Sequence, residues 1–446
     1  MSIYLNEGEF WESAKVKEIF SLENRMLCMC RIEAAIASAE AEMGMISQRD
    51  ADKINAMVDA KNVDIAVYNQ QMALTGGHPV MSFITAWRQS FQDDPAKDVI
   101  HFAAATPDII DNVKLLQLRD VHGIILQDLY EVRTILREMA AKHRDTLMVG
   151  RSHHQHAIPQ TFGYKVSTWL MEIQRQIVRL QESASRLFIV SCYGAVGGTN
   201  TFGKRGMEFN RLVGKYLGMD WCPVCWQTSR DTEVEYLCDL VSITNTMGRI
   251  ALELYELSRT EVGEIAEPWT YGNVGSSTMP HKRNPWGLET MVAIARTCTS
   301  QVTNEFNCMA QFHERDFMVQ YQENFSIPTI CHMCEHILHY GIEILGGLEV
   351  YPERMLKNLE MTNGAIMLEH VMMLLTKKMS RFTAHHKLYD YAMRSYQQNI
   401  PVKDLILQDE DIMAIITPKE LDSAFDYASY IGNCPEQVDA ALEICK

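Results

Sequence analysis

The chain has 446 residues, of which 47% are hydrophobic and 22% charged, and its formal net charge is −16. That balance belongs to a soluble globular protein of more than one domain, and the acid excess argues against an electrostatic nucleic-acid binder. Residues Met1 to Phe10 carry two glutamates and no apolar run, and no later stretch reaches membrane-spanning length. The expectation is a cytoplasmic protein that acts on a small molecule, with neither membrane nor nucleic acid as partner. The twelve cysteines then read as reduced thiols.

Helical spacing dominates the chain. Residues 1 to about 108 hold shorter helices and end in a polar loop. A long helix follows from about Ile109 to Ala141, with Val121, Ile125, Val132, Ile135 and Met139 on one side. Val166, Leu170, Ile173, Ile177, Leu180, Ala184 and Leu187 advance in steps of four and three. Tyr236, Leu240, Ile243, Met247, Ile250, Leu254 and Leu257 do the same. Both stripes run for several heptads without proline, so they predict long helices with one packing seam each. Strands are hardly signalled. The fold class expected is all-α, built on a bundle of long helices, and stripes of this length favour self-association. Gly346-Gly347 and Pro352 mark a boundary beyond which the helices shorten. Three domains are expected: 1–108, 109–349 and 350–446.

Four polar clusters interrupt the helices: Gly76-Gly77-His78-Pro79, His101 to Asp108, Gly150 to His156, and Gly275 to Pro285 preceded by Glu264 to Pro268. Capping and turn chemistry would account for any one of them, with Asp108 as a helix cap. Four histidine- or serine-rich breaks in one helical chain point instead to a displayed site. The last cluster, Gly275-Ser276-Ser277-Thr278-Met279-Pro280-His281-Lys282-Arg283-Asn284-Pro285, puts a possible base, a fixed cation and a carboxylate-binding amide in one loop. Such a set suits removal of a weakly acidic proton beside a carboxylate. Cys222–Cys225 and Cys331–Cys334 have CxxC spacing, with His336 close to the second, but no four-ligand zinc pattern emerges. No metal or cofactor is expected.

The run G-S-S-x-M-P-x-K-x-N resembles the signature loop of the fumarase/aspartase superfamily. The likeness covers nearly the whole chain. Lys17 to Ser21 with Glu33-Ala34-Ala35 resembles the first helices of the adenylosuccinate lyase and 3-carboxy-cis,cis-muconate cycloisomerase branch. His101 to Asp111, Gly150 to Gly163 and Gly275 to Pro285 resemble its three signatures, and Tyr351 to Leu442 resembles its C-terminal helical domain. The resemblance implies a homotetramer whose central helix bundle joins the three signatures from three subunits.

It also implies roles. Ser276 matches the serine that takes the proton, and its alkoxide needs nearby cations and backbone donors. Lys282 and Asn284 match the pair that holds the carboxylate as charge develops. His153 matches the histidine that helps protonate the leaving group, and Glu289 the carboxylate that supports it. His78, His101, Thr106, Gln155, Ser277 and Met279 fall at substrate-binding positions. Arg230, in an Arg230–Asp231 pair, could bind a carboxylate or form a salt bridge.

Three departures bear on the substrate. The first signature has Ala105-Thr106-Pro107 where threonine-serine is usual, so one hydroxyl is lost. After His313-Glu314-Arg315-Asp316 comes Phe317-Met318-Val319-Gln320-Tyr321-Gln322-Glu323-Asn324, without the serines and arginine that bind a nucleotide phosphate, which needs charge-assisted donors. The arginine-tyrosine pair near the N-terminus of nucleotide-binding relatives is missing as well. Carboxymuconate cycloisomerases generally carry tryptophan where this chain has His153. The expected activity is β-elimination from a succinyl-type substrate, an N-substituted aspartate, releasing fumarate. The alternatives are a lactonising cycloisomerase and a non-catalytic helical scaffold.

Overall fold

A computed structural model describes residues 11–446, so the reading of Met1 to Phe10 lies outside the described residues. Eighteen α-helices, five short 3-10 helices and two two-stranded β-ribbons account for the regular structure of that range, which makes the fold all-α. The elements that carry the site are α1 (Leu22–Glu42), α2 (Pro79–Ser90), α3 (Thr106–Lys142), α4 (Phe162–Leu187), α5 (Asp231–Leu257), α6 (Trp286–Cys308), α7 (Phe317–Gly346) and α8 (Pro352–Glu360). No helix among the described residues is long and apolar enough to cross a membrane.

The expected seams are the ones that are buried. Every residue of the stripe from Val166 to Leu187 is buried, as is every residue from Tyr236 to Leu257. On α3 the seam passes through Leu136, fully buried, while Ile135 is only partly covered. A four-residue step from Val132 keeps the stripe on one face where a three-residue step drifts off it. Burial of such stripes, at about 25 cal/mol per Å² of apolar surface, is the main force that holds these helices. Local signals set their ends. Ser21 caps α1 by accepting from the Asn24 amide at 3.1 Å, and His78 caps α2 by accepting from Met81 at 3.2 Å. Pro328 lies inside α7 and removes one backbone donor from it.

The chain forms two compact units. One holds residues up to Leu129, Gln176–Gly248 and Ala293–His339; the other holds Tyr130–Arg175, Arg249–Val292 and Tyr340–Lys446. In the second unit a separate apolar cluster, including Val371, Leu375, Leu388, Ile406 and Leu421, supports the C-terminal helices.

One stretch read as a polar loop folds as a strand pair. Residues Leu147–Ser152 (β1) and Gln155–Thr161 (β2) pair antiparallel, Ser152 facing Gln155, with an irregularity between Val149 and Arg151. The turn consists of His153 and His154 alone, both in the left-handed region at φ 52° and 58°. Two such residues in a two-residue turn match the twist of the flanking strands, a place usually taken by Asn-Gly. A second ribbon pairs Ile265–Ala266 (β3) with Glu349–Val350 (β4).

Close approach fixes Gly163 in the first turn of α4. A Cβ there would lie 2.6 Å from the His143 carbonyl oxygen, 2.7 Å from that of Ala140 and 2.7 Å from the Arg144 Cα. Backbone cannot give way as a side chain can, so Gly163→Ala is expected to cost roughly 1–3 kcal/mol. Gly123, in the interior of α3, has nothing within 4 Å of the same position, and Gly123→Ala should stabilise by about 0.5–1 kcal/mol. Calorimetric melting of the two variants beside the parent checks both signs.

Candidate active site

The expected site residues divide between the two units. His78, His101, Thr106 and Arg230 belong to the first; His153, Gln155, Ser276, Ser277, Met279, Lys282, Asn284 and Glu289 belong to the second.

In the first unit the loop before α3 is fastened from both ends. The Asp108 carboxylate is buried and accepts from the amides of Ala105 (2.8 Å), Tyr193 (2.8 Å) and Gly194 (2.9 Å). Burial pushes its carboxyl up to about 6, against the pull of those three donors. The bond to Ala105 is the reciprocal half of a capping box. At the other end, His101 sits at φ 61° and its Nδ1 lies 2.7 Å from Glu33 Oε1. Burial alone would lower the His101 pKa, but the Glu33 carboxylate outweighs it and raises the pKa. Thr106 opens α3 and its hydroxyl lies 3.5 Å from His78 Nε2, so these two expected ligand groups do meet. Because His78 Nδ1 accepts from a backbone amide, its Nε2 carries the proton.

Arg230 has a different setting from a substrate-facing cation. It is 2% exposed, and its guanidinium donates to Glu323 at 2.6 Å, the Gln227 carbonyl at 2.9 Å and Asp111 at 3.2 Å. Lys114 bridges Glu233 (2.7 Å) and Glu323 (2.8 Å), and Arg315 completes the network on Asp111 at 2.9 Å. Three cations meet three carboxylates, which is how buried charge is tolerated. Asp231, the expected partner of Arg230, instead opens α5.

In the second unit the signature loop is exposed and closed on itself. Ser276 Oγ accepts from the amides of Met279 (3.1 Å) and Thr278 (3.4 Å). Asn284 Nδ2 donates to the Gly275 carbonyl at 2.7 Å, and the Lys282 amide donates to Met279 at 3.0 Å. A Cβ on Gly275 would fall 2.1 Å from the Lys282 carbonyl oxygen, so this close turn requires glycine. The Lys282 ammonium and the Ser277 hydroxyl face solvent, and Met279 is also exposed. Glu267 caps α6 through the amides of Leu288 (2.6 Å) and Gly287 (3.4 Å), and burial raises its pKa. Glu289, one turn into α6, accepts from the Tyr255 hydroxyl at 3.4 Å rather than from His153.

The His153 turn and the loop are tied to one ribbon. From β1, Arg151 forks onto the fully buried Glu264 at 2.6 and 3.0 Å, and Asn358 of α8 donates to the same carboxylate at 2.8 Å. Glu264 precedes β3, whose partner strand holds Glu349; that carboxylate pairs with Arg283 of the loop at 3.0 Å. His153, His154 and Gln155 project from the exposed tip. Left-handed backbone is uncommon outside glycine, yet His101, His153, His154 and His313 are half of the eight such residues described. Three of the four lie in the first two signature segments, where strain is often kept for function.

Glu33, Glu40, Glu264 and Glu267 fasten the loops, though the sequence marked none of them as site residues. Two acidic residues seven apart in the apolar stretch from Met26 to Met43 were the available signal for Glu33 and Glu40. The CxxC cysteines are free thiols: Cys331 and Cys334 are buried, Cys222 and Cys225 half-buried. No group of three or more potential metal ligands occurs among the described residues.

Residues 9–300 match the family described as Lyase, and residues 364–441 match the adenylosuccinate lyase C-terminus. The chain belongs to the fumarase/aspartase superfamily of lyases. Within it, this lyase falls in the adenylosuccinate lyase and carboxymuconate cycloisomerase branch. It is 34% identical to an N-acetyl-S-(2-succino)cysteine lyase of Dickeya dadantii, over 98% of this chain and 96% of that one. It is 33% identical to an adenylosuccinate lyase of Methanocaldococcus jannaschii, over 97% and 94%. The 3-carboxy-cis,cis-muconate lactonizing enzyme of Pseudomonas putida superposes with a TM-score of 0.90 at 30% identity, covering 98% of each chain.

Removing the anchor of the His153 turn should be costly. Glu264→Ala would leave the Arg151 guanidinium, 19% exposed, without its carboxylate, and a broken buried pair typically costs about 3–5 kcal/mol. The expected result is a lower melting temperature with faster amide exchange confined to residues 149–156, read by hydrogen–deuterium exchange.

Proposed function

We propose that this lyase removes a succinyl group from an amine or thiol of amino-acid size by β-elimination, releasing fumarate. The observation that carries the reading is the Ser276 hydroxyl oxygen under two backbone amides, in a loop that also presents Lys282 and Asn284. Two N–H donors on that oxygen favour its alkoxide over its alcohol, as a serine base requires. Ser276 takes the proton from the carbon beside a carboxylate. Lys282 and the second Asn284 N–H then hold the doubly charged aci-carboxylate. His153 donates a proton to the leaving heteroatom, the C–heteroatom bond breaks, and the electron pair of the broken C–H bond becomes the fumarate double bond. Glu289 raises the proton affinity of His153 when the two meet across subunits of a homotetramer. In this reading the enzyme works in the cytoplasm with its own side chains, and the family's three regions divide at about 108 and 349.

The leaving group is chosen by what the chain lacks. Phe317, Met318 and Tyr321 present exposed apolar and aromatic surface where a nucleotide phosphate would need donors. An adenylosuccinate-sized substrate is therefore the less favoured member of the class. The name of the Dickeya relative supports a small succinyl thioether, and the N-substituted aspartates remain chemically equivalent at the carbon that loses its proton. His153 favours elimination over lactonisation, since a protonated leaving group needs a general acid there.

The test is to follow fumarate absorbance with a panel of N- and S-succinyl amino acids, with adenylosuccinate and 3-carboxy-cis,cis-muconate in parallel. Turnover of a succinyl amino acid is expected, and Ser276→Ala should lower kcat by at least about 10³-fold with an unchanged melting temperature. Turnover of carboxymuconate alone would replace this reading with the cycloisomerase. No turnover of any of these compounds, with a Ser276→Ala variant indistinguishable from the parent, would leave the scaffold.

A further inference from the structure

His101 is held in a left-handed conformation by a helix it is not part of. Glu33 and Glu40 lie seven residues apart on α1, hence on one face, and both are buried, at 1% and 0% exposure. Each reaches the loop before α3 once. Glu33 Oε1 meets His101 Nδ1 at 2.7 Å, and Glu40 Oε1 accepts from the Ala103 amide at 3.1 Å. The second oxygens of both, Glu33 Oε2 and Glu40 Oε2, are buried without a partner. His101 Nε2 makes no hydrogen bond among the described residues, and the side chain is 16% exposed.

We propose that Glu33 and Glu40 are positioning residues that carry one negative charge between them and so hold His101 with a proton on Nδ1 and Nε2 free for a ligand. Ionised together, the two buried carboxylates would repel each other with a single imidazole, on Glu33, to offset them, and an unpaired buried charge is among the most costly features a fold can hold. One of them therefore keeps its proton. Glu33 faces the imidazole and is the ionised member. Glu40 faces only an amide and is the neutral one, with an O–H left to donate. Burial pushing Glu40 up to about 8 and Glu33 lifting His101 agree with that division. Asp108 also acts on His101 but spends its charge on three amides, and the Cys30 and Cys192 thiols beside Glu33 are pushed up by burial and by that carboxylate. His78, with its proton on Nε2, and His101, with Nε2 free, then offer a donor and an acceptor. When His101 takes up a second proton its Nε2 also becomes a donor.

The inference rests on the proposed elimination only for its kinetic arm. The full-length protein with ¹⁵N-histidine is titrated by NMR, the His101 signal being assigned by its loss in His101→Gln. In the parent, Nδ1 is protonated throughout, and the signal shows its own inflection and a second one near pH 8 from Glu40. Glu33→Gln should lower the His101 proton affinity by about tenfold or more and mix its tautomers. Glu33→Asp, keeping the charge, should restore most of the affinity. Glu40→Gln should keep the Nδ1 proton and abolish the second inflection. With a succinyl substrate, Glu33→Gln should lower kcat by about tenfold or more while KM stays within about threefold. Unchanged His101 affinity and tautomer in Glu33→Gln, or a surviving second inflection in Glu40→Gln, overturns the pairing. Absence of any succinyl turnover in the parent defeats the proposed reaction and leaves the titration to decide the pairing alone.

Discussion

Carboxylates withdrawn from solvent, four of them buried and Glu267 half-buried, are the fixed points from which these loops hang. Glu33 and Glu40 catch the loop at 101–103, Asp108 catches 105 and 193–194, Glu264 catches the strand before His153, and Glu267 catches the start of α6. A helix seam can bury apolar side chains in many nearly equal ways, but a buried carboxylate tolerates only the geometry that supplies its donors. That asymmetry lets a bundle of long, featureless helices present irregular loops in one reproducible conformation.

The cost of these anchors explains their form. Three of them carry several donors: three amides on Asp108, a bidentate arginine and an amide side chain on Glu264, two amides on Glu267, whereas Glu33 and Glu40 meet one partner each. The Arg230 network follows the same logic on a larger scale, matching Lys114, Arg230 and Arg315 against Asp111, Glu233 and Glu323. The Arg230 guanidinium, 2% exposed, spends three of its N–H groups inside the fold. Lys282, by contrast, is exposed to solvent in its loop.

Periodicity made the long helices legible, because a seven-residue repeat sustained over several turns has few other solutions. The signature loop was legible as well: Gly275, Ser276, Lys282 and Asn284 sit at offsets that the observed turn uses directly, with Gly275 against the Lys282 carbonyl and Asn284 closing onto Gly275. The β1–β2 pair was not. Its strands are too polar and irregular to alternate, and its turn uses two histidines where a hairpin signal would be Asn-Gly. The anchors were hidden for a different reason. A glutamate inside a helix reads as a solvated residue, and only the distant donors at His101 and Ala103 show that Glu33 and Glu40 face inward.

The two units carry different groups of the expected site residues, and the sequence departures follow that division. The second unit holds Ser276, Lys282, Asn284 and His153, together with the ribbon tied through Glu264 and Glu349. The departures fall in the first: Ala105 and Pro107 in the histidine loop, and the aromatic start of α7. Pro107 costs little there because the first turn of a helix has no use for its amide. Losing one hydroxyl at Ala105 leaves Thr106 and His78 as the groups that meet at this corner. Under the proposed elimination, proton-transfer groups that are kept while recognition groups change let one reaction serve different leaving groups.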